Sequence, residues 1–190
     1  AGVGEDSIID NCTFTDNVAD ISGGAVYLWS YTADLEIADS TFTGNSAVDG
    51  GAVYYSSHSD LTVTGSNFTN NTANYGGAIE NEGYGELAVD NSKFVENEAA
   101  VSGGAIISSG NASVTNSVFN DNEAAVANTN AIYLWNYNTL ALSNNVITGS
   151  TDAQILAKGG TTIITPLKVR ILDNGTYNIH MSPYTLNATV

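Results

Sequence analysis

Two seven-residue runs of this chain nearly repeat one another: Ala25-Val26-Tyr27-Leu28-Trp29-Ser30-Tyr31 and Ala131-Ile132-Tyr133-Leu134-Trp135-Asn136-Tyr137. They hold both tryptophans and four of the ten tyrosines. Aliphatic and aromatic positions alternate. On a strand that turns Val26, Leu28, Ile132 and Leu134 inward, the rings of Tyr27, Trp29, Tyr31, Tyr133, Trp135 and Tyr137 face out. Flat rings set among Ser, Asn and Asp can stack on sugar faces while the polar groups bind hydroxyls. These six are therefore the candidate ligand-binding residues, for a glycan or a cell-surface protein. The competing use of such rings is to cover the loop after each strand or to form an interface.

Catalysis has a poorer footing. Two groups of acids, Asp16, Glu96 and Asp121, and Asp49, Glu80 and Glu82, offer carboxylates of the kind a glycoside hydrolase holds at a fixed separation, but no polygalacturonase-like motif joins them. A polysaccharide lyase needs a base, and residues 1–150 contain one Lys or Arg, Lys93, which is expected to face outward. His58 and His180 are isolated, with no nucleophile pattern nearby, and read as solvated loop residues. The single cysteine, Cys12, excludes an internal disulfide. No catalytic residue is assigned, and the chain is expected not to be an enzyme. Asp and Asn crowd the bends and offer oxygens to calcium. No Asp-x-Asp-x-Asp-Gly loop or nonapeptide calcium repeat is present, so neither metal nor cofactor is expected.

Charge narrows the partners. Residues 1–150 carry 18 of the 20 acids and one of the four bases, a net of −17; residues 151–190 carry +1, giving −16 in all. Phosphate contacts need Lys and Arg, so nucleic acid and anionic membrane are excluded as ligands. No apolar run is long enough to span a bilayer, and direct membrane insertion is not expected.

The elements that must position these residues come from a repeat. The only five phenylalanines, Phe14, Phe42, Phe68, Phe94 and Phe119, follow one another at 28, 26, 26 and 25 residues. Three positions after each stands Asn17, Asn45, Asn71, Asn97 or Asn122; two before stands Cys12, Ser40, Ser66, Ser92 or Ser117. Alternating apolar pairs such as Leu35 and Ile37, or Leu61 and Val63, precede them, and four Gly-Gly-Ala-Val/Ile corners beginning at Gly23, Gly50, Gly76 and Gly103 follow. Three short strands and three bends per repeat describe a coil of a parallel β-helix, with Phe, Ser and Asn ladders. The Asn is expected to take the left-handed bend that ends the Phe strand. A sixth, degenerate coil places Ile147 in the Phe column. The period also rules out helical repeats, which need 3.6-residue patterning.

The reading is an all-β, right-handed parallel β-helix of about six coils over residues 1–165. Residues 166–190 form a C-terminal β segment, either a capping hairpin with strands near 167–171 and from Tyr177, or the start of an immunoglobulin-like module.

The Phe14-Thr15-Asp16-Asn17 type of tetrapeptide, repeated five times and alternating with the glycine corners, resembles the repeats of chlamydial polymorphic outer-membrane proteins and of methanogen adhesin-like proteins over roughly residues 7–150. The resemblance implies an extracellular, cell-surface adhesin that binds a glycan or protein through the outer face of the helix, and it lends no catalytic residue. The stretch from Lys168 to Val190 resembles the opening of a bacterial immunoglobulin-like domain. The alternatives are a non-binding stalk or a self-assembling filament subunit, since the end strands of a β-helix invite pairing with another copy, and, further off, a polysaccharide lyase or hydrolase.

Overall fold

The computed structural model describes residues 6–126, 129–135, 138–148, 155–157, 162–164, 176–181 and 184–189. Every regular element among them is a β-strand. The apolar pairs build a seven-stranded sheet: Ser7–Asp10, Leu35–Ala38, Leu61–Thr64, Leu87–Asp90, Ala112–Thr115, Leu140–Ser143 and Thr162–Ile164. The phenylalanines sit at the centre of a six-stranded sheet, one strand per coil: Thr13–Thr15, Thr41–Thr43, Asn67–Thr69, Lys93–Val95, Val118–Asn120 and Val146–Thr148. The strands that follow the glycine corners form the third sheet: Val26–Trp29, Val53–Ser56, Ile79–Asn81, Ile106–Ser108, Ile132–Leu134 and Ile155–Ala157, extended by Thr176–Met181 and Tyr184–Thr189. Pairing is parallel between coils and antiparallel only between the last two strands. This is a parallel β-helix.

The Phe column is a true stack. Ring centroids lie 4.8, 4.7, 4.9 and 4.9 Å apart from Phe14 to Phe119, with interplanar angles of 8° or less. Ile147 continues it, paired with Phe119. Phe42, Phe68, Phe94 and Phe119 are fully buried among the inward Leu, Ile and Val of the other two sheets. Each buried aromatic stabilises the column by about 1.5–3 kcal/mol.

The Ser and Asn columns also face the core, where they complete backbone bonds that the strands leave open. Ser66 Oγ accepts from the Ser40 amide at 3.1 Å and donates to the Thr64 carbonyl at 3.0 Å; Ser92 and Ser117 repeat both bonds. Cys12 holds this position in the first coil, its thiol donating to the Asp10 carbonyl at 3.2 Å. Asn71 Oδ1 accepts from the Asn45 amide and from Asn45 Nδ2, while Asn71 Nδ2 donates to Asn97 Oδ1 and to the Phe42 carbonyl.

Two expectations change. The left-handed residue at the end of the Phe strand is not the Asn but the one before it: Asp16, Gly44, Asn70, Glu96 and Asp121 have φ between 50° and 66°. The Asn is thereby free to point inward. A fourth sheet also exists, Thr72–Tyr75, Glu98–Ser102 and Glu123–Ala124, where a bend was expected. At the terminal hairpin the described strands are Thr176–Met181 and Tyr184–Thr189; residues 167–171 lie outside the described residues.

The glycine corners need both residues. Gly76 has φ +59°. At Gly77 a Cβ would stand 2.1 Å from the carbonyl oxygen of Gly104 in the next coil, so only glycine lets the coils close to ladder distance there.

Candidate functional site

The third sheet carries the aromatic runs, and its register sorts them. Val26, Val53, Ile79, Ile106 and Ile132 lie side by side and face the core. One residue further on, the outer face reads Tyr27, Tyr54, Glu80, Ile107 and Tyr133; three further on it reads Trp29, Ser56, Glu82, Ser109 and Trp135. The two tryptophans thus bracket a strip four ladder steps long, about 19 Å.

Trp29 and Tyr31 are exposed, at 66% and 68%, and Tyr27 at 58%. Tyr27 stacks on Tyr54 at 5.4 Å. Tyr31 stacks on His58 at 5.3 Å, His58 meets Tyr84 at 5.1 Å with a tilt of 38°, and Trp29 stands edge-on to Tyr31 at 6.1 Å. Rings stacked along the helix axis occupy one another's faces. Trp29 has no face-to-face stack, and Tyr84, tilted against His58, is 77% exposed. They line one small cleft together with Ser56, His58 and Glu82.

The second run is placed differently. Tyr133 does lie on the outer face, as alternation requires, but it is 6% exposed rather than solvent-facing. Its strand lies inside the sheet, with Ile107 and Leu156 as register partners, and the Trp135 ring packs against it at 5.7 Å and 88°. Burial pushes the Tyr133 phenol pKa up. Trp135 remains 44% exposed. Tyr137 lies outside the described residues.

Trp135 lines a larger groove with Asp49, Tyr75, Glu80, Glu82, Ile107 and Ser109. Glu82 borders both hollows, so the two form one strip across the sheet. The Tyr54 hydroxyl donates to Glu82 Oε2, and Ser22 Oγ donates to Asp49 Oδ2 at 3.5 Å. Glu80 is 7% exposed. Burial, then the charges of Asp49 and Glu82, push its carboxyl pKa up to about 8. Burial and Glu82 likewise raise Asp49. The other acid group, Asp16, Glu96 and Asp121, does not join this groove; it marks left-handed corners after the Phe strands. Lys93 is exposed on the Phe sheet. Among the described residues no cluster of three or more His, Cys, Asp or Glu is arranged to hold a metal ion.

Four ring-bearing participants were missed in the sequence: Tyr54, Tyr75, Tyr84 and His58, the last read as isolated. The signal was present in the repeat, because Tyr31, His58 and Tyr84 each stand five residues after the first inward residue of their strand. Applying the frame to the loops as well as the strands finds them. His180, expected in a loop, falls in the strand Thr176–Met181.

A family model described as a right-handed β-helix region matches residues 2–119. It spans well over half of the chain, and the chain belongs to that family. No curated protein and no solved structure matches it.

Proposed function

We propose that the chain is an extracellular, adhesin-like surface protein that binds a glycan along the outer face of its third sheet, in the manner of the phenylalanine- and glycine-repeat adhesins of chlamydiae and methanogens that its repeats resemble. The observation that carries this reading is the strip bracketed by Trp29 and Trp135, with Ser56, Glu82 and Ser109 between them. It combines partly exposed aromatic rings with hydroxyls and carboxylates that bind sugar hydroxyls. The acidic surface restricts the ligand to neutral or cationic species. Trp29→Ala and Trp135→Ala are each expected to weaken binding by about tenfold on a glycan array. Unchanged binding in both variants removes the proposal.

A second reading, a self-assembling stalk, is favoured by one observation. Ile8, Val18 and Ile21 of the first coil are exposed at 68%, 77% and 71%, beside the edge strands Ser7–Asp10, Thr13–Thr15 and Val26–Trp29. Edge strands with apolar neighbours template further pairing.

A further inference from the structure

The groove beneath Trp135 holds a carboxyl group that the chain leaves incomplete. Glu80 Oε2 is buried and has no hydrogen-bond partner. A buried acceptor without a donor is costly, and the cost rises when the group is charged. Its neighbours do not supply the donor: Asp49 and Glu82 are acids, and the Tyr54 hydroxyl is spent on Glu82. Lys93, the only Lys or Arg among the described residues, belongs to the Phe sheet. Among the described residues the acids are not arranged to coordinate a metal ion, and an N–H donor is the group that suits the ionised carboxylate. A primary ammonium brings three such donors and a positive charge into a groove lined by three carboxylates. The same groove carries the rings of Tyr75 and Trp135, apolar surfaces suited to a saturated ring and favourable to a nearby cation.

We propose that this groove binds the ammonium group of an amino sugar, with Glu80 as the buried anchor, Asp49 and Glu82 as flanking carboxylates, and Tyr75 and Trp135 as the walls for the sugar ring. The inference rests on the glycan-binding reading above and adds to it the charge of the sugar. It also has a protonic consequence. The groups that face Glu80 are Asp49, Glu82, Tyr54 and the Gly50 amide; the neighbouring strand Ile106–Ser108 contributes no titratable group. The free groove holds the Glu80 carboxyl up to about 8, and an ammonium favours its ionised form. Binding of an amine that already carries its proton therefore releases the Glu80 proton, whereas a neutral amine would take that proton up itself.

The test is calorimetric titration of the chain with a glucosamine tetramer and with its fully N-acetylated counterpart, at about 0.15 M salt. Wild type, Glu80→Gln, Glu82→Gln and Glu96→Gln are compared, the last lying in a separate acidic hollow with Glu98, Asp121 and Glu123. The amine form is expected to bind at least tenfold more tightly than the acetylated form, with heats that, below the amine's own pKa, vary with buffer as a released proton requires. Glu80→Gln and Glu82→Gln are each expected to lose about tenfold, and Glu96→Gln nothing. Equal affinity for the two tetramers overturns the amine assignment while leaving glycan binding intact. An equal loss in Glu96→Gln reveals general attraction between polyanion and polycation and also overturns it. If neither tetramer binds and the glycan array is blank, the inference falls together with the glycan reading. Should Glu80→Gln not fold, Glu82→Gln and the wild-type buffer dependence decide the matter.

Discussion

Glu80 links the surface to stability. Its folded pKa of about 8 stands above its ordinary value of 4.5, so the folded chain holds a proton that the unfolded chain has lost between those values. The stability this proton provides is complete below pH 4.5 and disappears as pH rises through about 8. A shift of this size corresponds to about 5 kcal/mol. The melting temperature is therefore expected to fall between these pH values, and Glu80→Gln to flatten that slope and melt higher at pH 8; parallel curves for both proteins would contradict this. In the core, Phe68→Ala removes a ring stacked on both faces and is expected to cost about 3–5 kcal/mol in urea denaturation. At this scale the sequence was partly legible. Alternation correctly set Trp29 and Tyr31 in solvent and Val26 and Leu28 inward, because the pleat alone decides that. It could not say that Tyr133 is covered, since exposure depends on Trp135 and on the strands to either side.

Between residues and fold stand the ladders. The Asn column was visible in the spacing, but its task was not: asparagine is equally suited to a left-handed corner and to an inward amide chain, and only the backbone of Asn70 beside Asn71 separates the two. The distinction predicts a mutant series. Asn71→Ala leaves the Asn45 amide, Asn45 Nδ2 and the Phe42 carbonyl without their partner and is expected to cost roughly 2–4 kcal/mol. Asn71→Asp keeps the acceptor but cannot donate to Phe42 or Asn97, so it is expected to destabilise as well, whereas Asn70→Gly, at φ 53°, is expected to be neutral or stabilising. Thermal melts of the three variants check the order. The fourth sheet escaped notice because its residues, Thr72–Tyr75 and Glu98–Ser102, lack an apolar alternation of their own; the neighbouring coil, rather than their composition, makes them strands.

The described residues form a column whose sides are acidic and whose first coil supplies the outermost strand of each main sheet at that end. If those strands pair with another copy, light scattering is expected to show a mass that rises with concentration, and Val18→Lys combined with Ile21→Lys to hold the chain monomeric; a constant mass in the wild type would leave the stalk without self-assembly. The period, together with the alternating pairs and glycine corners, made the architecture legible from a handful of residues, since three short strands that recur every 26 or so residues stack as parallel ladders. Of the two strands expected in the terminal segment, only the one from Tyr177 falls among the described residues, and it pairs with Tyr184–Thr189; residues 167–171 lie outside them. One more result follows from identical ladders in successive coils. Excising Phe68 through Lys93 joins Asn67 to Phe94 and leaves every column closed, so the shortened chain should fold, one step of about 4.8 Å less tall. The protein is in this respect a ruler graduated in whole turns: its length changes only by counting coils.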